Sequence, residues 1–189
     1  MSDIATALGG ARSQGSSSVS EAPMQGMITL RGNLADPALV AAVTGLTGAD
    51  MPSTRQITKG KGGSLGWMSP DELLILVPHQ GVTDAVRDLS ATLKDQHALV
   101  CNVSDARAVF TLSGPTAREV LAKLCPVDLA PGQFETGELR RTRVAQVAAA
   151  FWVDAQGDFT LICFRSVAQY VFNLLTEAAL LGGEVGVFA

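Results

Sequence analysis

Apolar residues recur at helical spacing in four stretches of the chain and at strand-like spacing between them. Residues 24–31 read as a short strand. Asp36-Pro37 then opens a helix, because Asp can cap the free amides and Pro tolerates the first helical position. Leu39, Ala42, Val43 and Leu46 give its buried stripe, and Gly45 and Gly48 stop it. Strands are predicted at 54–59 and 65–69 and, by unbroken hydrophobicity, over ELLILV at 72–77. A helix at 82–95 carries Val82, Val86, Leu89 and Leu93 on one side, and residues 97–103 return as a strand.

The second half is more regular. RAVFTL at 107–112 reads as a strand, and Gly114-Pro115 opens a helix with stripe Ala117, Val120, Leu121 and Leu124, ended by Cys125-Pro126. Residues 140–153 hold one or two strands, and residues 154–157 (DAQG) turn into a strand at 158–164. In the last helix Ser166 and Gln169 fit a capping box. Val167, Tyr170, Val171, Leu174, Leu175, Ala178 and Leu181 form its stripe before Gly182-Gly183. Phe172 and Leu180 lie off that stripe, with Ala168 and Ala179 flanking Phe172.

Residues 107–188 therefore read strand–helix–strand–strand–helix–strand, a split β-α-β arrangement, and residues 54–103 resemble a partial second copy. The expected fold class is α+β: antiparallel sheets with the helices packed on one face, in two related β-α-β-type halves. Residues 1–25, rich in Ser, Gly and Ala, are expected to be a flexible tail with a docking turn at 4–8. Residues 26–189 then form one domain, divided into about 26–103 and 104–189.

Composition narrows the function. The 189 residues are 47% hydrophobic and 17% charged, with mean hydropathy +0.26. Either much of this chain is buried within itself or some of its surface is meant for another protein. A net charge of −4 argues against nucleic acid, whose backbone demands a basic face. Cys101, Cys125 and Cys163 are odd in number and form no C-x-x-C pair, so a reducing, cytoplasmic setting is expected, with neither disulfide framework nor zinc knuckle. The N-terminus has no signal-peptide pattern, and no stretch approaches the roughly 18 apolar residues that would span a membrane.

Candidate chemistry is sparse. Gly62, Ser64 and Gly66 satisfy the G-x-S-x-G pattern of a nucleophile elbow, which requires a following helix; a strand follows here, so a turn is expected. Gly60 and Gly62 begin G-x-G-x-x-G, but Leu65 takes the last glycine's place, and Lys59 and Lys61 read as solvated turn residues. His97 and Cys101, four apart on the expected strand, would share a face, but two ligands are too few for a metal. His79 sits at a strand end. Cys101 and Cys163, in apolar strands, are expected to be buried and inert. Asp71, Glu72, Glu135, Glu138, Asp154 and Asp158 are scattered over turns and strand starts. The expectation is no catalytic, cofactor-binding or metal-binding residue.

Three segments carry a family resemblance: SDARAVFTLSGPTAREVLAKLCPVDL at 104–129, followed by Arg141-Thr142; FRSVAQYVFNLLTEA at 164–178; and SPDELLILVP at 69–78. Together they resemble the gamma subunits of heterotetrameric sarcosine oxidases, within the folate-binding aminomethyltransferase-like superfamily. The third is similar to that family's G-P-D-E-W-L stretch, with Ser69 for the Gly and Leu73 for the Trp. The resemblance spans roughly residues 54–182. It implies a complex that oxidises sarcosine to glycine, forms hydrogen peroxide and passes the one-carbon unit to tetrahydrofolate. It also implies that FAD, FMN, NAD and tetrahydrofolate belong to other subunits, and that the partners are the alpha, beta and delta chains, alpha foremost. Folate-binding relatives tend to carry Asp-hydrophobic-Ser where this chain has Asn102-Val103-Ser104, so a charge is missing there. A free-standing folate-binding protein of one-carbon metabolism is the alternative.

Overall fold

A computed structural model describes residues 5–188. The backbone divides into two compact units: Gln25–Asp105, and the residues up to Met24 together with those from Ala106 onward. The flexible-tail expectation is corrected, because residues 12–21 form two strands in the second unit's sheet.

These strands are β1 (Arg12–Gln14) and β2 (Ser18–Glu21), joined as an antiparallel hairpin. Tertiary bonds fix them. The Glu21 carboxylate is buried and accepts from Leu8 N at 2.9 Å, Gly10 N at 2.8 Å and Thr6 Oγ1 at 2.8 Å. A buried carboxylate is tolerated only when so satisfied. Arg165 donates to the carbonyl oxygens of Ala5 and Thr6, so residues 5–10 form a fastened loop. Of the expected docking turn at 4–8, Ile4 lies outside the described residues.

The first unit runs β3 (Gln25–Arg31), α1 (Pro37–Thr47), β4 (Ile57–Lys59), β5 (Ser64–Ser69), β6 (Glu72–Pro78), α2 (Val82–Thr92) and β7 (Leu99–Asn102). Its antiparallel sheet has the order β4-β5-β6-β3-β7. Asp36 caps α1 as expected, its Oδ1 accepting from Ala38 N at 2.8 Å, and Gly48 closes the helix in the left-handed region at φ 66°. Leu39 and Val43 of α1, with Val82, Ala85 and Leu89 of α2, pack on Ile28, Leu30, Leu73 and Ile75 of the sheet. Both helices therefore share one face of it.

The second unit continues with β8 (Arg107–Ser113), α3 (Ala117–Ala122), β9 (Leu139–Val144), β10 (Val147–Val153), β11 (Phe159–Phe164) and α4 (Ala168–Ala178). Its sheet order is β1-β2-β8-β11-β10-β9. Three strands lie between the helices, residues 140–153 taking the two-strand form of the expected one or two, and among the described residues none follows α4. On its other side β8 pairs with β2, through Val19↔Leu112 and Ser20↔Thr111. The core gathers Phe110, Phe134, Phe151 and Phe159 with Val120 and Leu121 of α3 and Val171 and Leu175 of α4. Asp154 Oδ1 accepts from Gln156 N and Asp158 N, closing the expected hairpin with Gly157 at φ 84°.

Two details of α4 differ from expectation. A 3-10 turn, Arg165–Val167, precedes it, so Ser166 lies outside the helix and caps nothing, while Gln169 bonds Asn173 instead. The buried face is Ala168, Val171, Leu175 and Ala179, with Phe172 against Phe110 at 6.0 Å between ring centroids. Tyr170 and Leu181 are exposed. The apolar arc is wider than one stripe, and the sheet takes the side bearing small residues, which lets the helix approach closely.

Candidate functional site

The glycine run at 60–63 forms the β4–β5 connection, laid against the C-terminal end of α1. Gly62 N donates to Thr47 O and Gly60 N to Gly63 O, both at 2.8 Å. A Cβ on Gly60 would stand 2.3 Å from the Gly48 carbonyl carbon, and one on Gly63 would stand 2.1 Å from Leu76 O. The glycines are there because backbone meets backbone. Ser64 begins β5 opposite Lys59 and Leu76, in a flat ladder with no helix behind it, and Lys59 and Lys61 are exposed. This is a turn without the geometry of an elbow or a phosphate cradle.

The expected His97–Cys101 pairing does not form on a strand, because β7 begins only at Leu99 and His97 lies in the bend before it. Cys101 is exposed rather than buried, since β7 is the outermost strand of its sheet. Cys125 and Cys163 are buried. Desolvation pushes the Cys125 thiol up to about 12 and the Cys163 thiol to about 11, the latter opposed by the positive charge of Arg107. Neither is a thiolate at neutral pH, and the thiolate is the nucleophilic form.

Asn102 and Ser104 form a closed local structure. Asn102 Oδ1 accepts from Ser104 N at 3.0 Å and from Ser104 Oγ at 2.7 Å, and Ser104 Oγ accepts from Met27 N at 2.9 Å. The Asn102 carboxamide, through Ser104, thus ties the end of β7 to the start of β3, and its oxygen is already engaged. The scattered acids serve structure as well. Glu72 is buried and pairs with Arg31 at 2.7 Å, Glu135 and Glu138 accept from loop amides, and Asp158 is raised by desolvation and by Asp154. No group of three metal-ligating side chains occurs among the described residues, and no described helix is long and apolar enough to cross a membrane.

A strap over α3 has no signal in the residue pattern. Glu119, buried in α3, accepts from Val185 N at 2.6 Å and Gly186 N at 2.9 Å, while Lys123 donates to Ala178 O and Gly183 O. The Val185 amide is the main cause that holds the Glu119 carboxyl below its usual range. The segment so fixed displays Leu180, Leu181, Val185 and Val187 to solvent; Leu181 is 77% exposed. Phe172, Ala168 and Ala179, the other off-stripe residues of α4, belong to the internal core.

Among the described residues the surface is therefore more distinctive than any cluster of reactive groups. Over 140 residues the chain is 29% identical to the sarcosine oxidase subunit gamma of Corynebacterium sp. (strain P-1), covering 73% of this chain and 68% of that one. Its fold matches a chain of the heterotetrameric sarcosine oxidase from Corynebacterium sp. U-96 with TM-score 0.78 and 24% identity, over 86% of this chain and 83% of that chain. It also matches the glycine cleavage system aminomethyltransferase T from Bartonella henselae with TM-score 0.64 and 12% identity, over 85% of this chain and 45% of that chain, a likeness of fold. The family model described as sarcosine oxidase, gamma subunit family matches residues 31–180, and the chain belongs to that family.

Proposed function

We propose that this chain is the small, non-catalytic gamma subunit of a heterotetrameric sarcosine oxidase and stabilises the flavoprotein subunits by packing against them. The observation that carries this reading is the family match over residues 31–180. Physical support comes from the fate of the reactive side chains. Ser64 sits in a ladder, Cys125 and Cys163 are neutral thiols in two core positions, and Asn102 is bonded to Ser104. In the whole assembly sarcosine is oxidatively demethylated to glycine, hydrogen peroxide forms, and tetrahydrofolate takes up the one-carbon unit. FAD, FMN, NAD and tetrahydrofolate are held by the other chains. The partners are the alpha, beta and delta subunits, alpha the direct contact, in the cytoplasm.

Co-expression with those three subunits tests the reading. The expected result is one complex containing this chain, with the flavoprotein losing thermal stability when it is omitted. A stable monomer beside an intact, fully stable three-subunit oxidase would refute it. The fold shared with the aminomethyltransferase gives a second reading, a free-standing folate carrier. Titration calorimetry with tetrahydrofolate on the isolated chain separates the two: binding in the micromolar range supports the carrier, and no heat supports the subunit.

A further inference from the structure

The two units repeat one strand order. β3 in the first corresponds to β8 in the second, and β7 occupies the same place beside β3 that β2 occupies beside β8. β2 is covered by a further antiparallel strand, β1, whereas β7 ends its sheet uncovered. An open edge invites pairing, and proteins blunt it with charge or by keeping the strand short. β9 exposes Arg141 and Arg143, and β4 is three residues long and ends in exposed Lys59. β7, Leu-Val-Cys-Asn, has no charge at all.

Its ladder shows which groups are offered. Val103 N donates to Met27 O, and antiparallel alternation then bonds Cys101 and Leu99 to their partners Thr29 and Arg31. The N–H and C=O of Val100 and the N–H of Asn102 consequently point away from β3. Leu99, 57% exposed, and Cys101 share one face of the strand. At the Leu99 end lies a cavity of ≈ 480 Å³, lined by Arg31, Asn33, Asp71, His97 and Leu99 among others.

We propose that β7 is the edge to which a partner subunit adds an antiparallel strand, uncharged and carrying an apolar side chain opposite Leu99. This is strand addition, in which main-chain bonds give affinity and alternate side chains give selectivity. A second copy does not suit the site. Two four-residue strands pairing about a two-fold axis bury far less than the roughly 1,000 Å² that a lasting interface needs, so the occupant is a larger protein with contacts elsewhere as well. The inference rests on the subunit reading above and specifies its contact.

The test uses the co-expressed complex and the double variant Leu99→Lys with Cys101→Lys, both at exposed positions. The expected result is assembly weakened at least about tenfold, since a charge at a buried edge costs more than the 1.4 kcal/mol that a factor of ten represents. In wild type, hydrogen exchange of the Val100 and Asn102 amides slows at least about tenfold on assembly, the signature of new main-chain bonds. Wild-type assembly of the double variant, with both amides exchanging as in the isolated chain, overturns the edge assignment while leaving the subunit reading intact. Failure of the wild-type chain to assemble overturns both. Disulfide-linked homodimers under mild oxidation, abolished by Cys101→Ser, would place a second copy on the edge and overturn the partner strand.

Discussion

Gly63→Ala distinguishes a packed turn from a chemical loop. The added Cβ would stand 2.1 Å from Leu76 O, against the 3.0 Å below which Cβ atoms are essentially never found, and it would also meet Thr47 Cγ2 at 3.4 Å. The obstacle is backbone in β6, a strand paired on both sides through β5 and β3, so no flexible side chain can swing away. Relief requires β5 to part from β6. Overpacking of this kind costs about 3 kcal/mol, the upper end of its usual span. For a protein of this length that lowers Tm by roughly 6–12 °C, measured by calorimetry or by circular dichroism during heating. Gly45→Ala is the internal control. Gly45 lies on the exposed side of α1 with nothing within 4 Å of a Cβ, so this change should stabilise by about 1 kcal/mol through helix propensity. Ser64→Ala should leave the turnover of the assembled complex unchanged. A Gly63→Ala protein that melts with wild type, or a Ser64→Ala complex that folds normally and has lost turnover, would refute the packing account of this loop.

Only Cys101 should react with a disulfide-exchange reagent in the folded chain at pH 8; Cys125 and Cys163, with thiols near 12 and 11, should react only in denaturant, as a thiol count with and without urea will show. Asp36→Ala removes the acceptor for Ala38 N and Leu39 N and should cost about 1 kcal/mol in urea unfolding. Glu119 has a depressed folded pKa, so its contribution is complete above its unfolded value near pH 4 and is lost as pH falls through the lower folded value. The protection of the Val185 and Gly186 amides, measured as exchange relative to their intrinsic rates at each pH, should therefore fall on acidification below about pH 4, and Glu119→Gln should remove that pH dependence.

Local signals in the sequence determined most elements. Asp36-Pro37 and Gly48 bound α1, the unbroken ELLILV gives a strand buried on both faces, and residues 154–157 close a hairpin. These features depend on side chains a few residues apart, so they are legible without the fold, and motif order was enough to indicate the family. What only the tertiary structure decided depends on groups distant in sequence. β1 and β2 are short and polar, and they are strands because Glu21 gathers the amides of Leu8 and Gly10 and β8 offers a free ladder. The face of α4 that is buried depends on how closely the sheet approaches it, and the apolar residues on its arc cannot specify that. Cys101 sits in an apolar run that reads as core, and strand order alone makes it an edge. Periodicity records which residues share a side, whereas burial depends on what the rest of the chain places against that side.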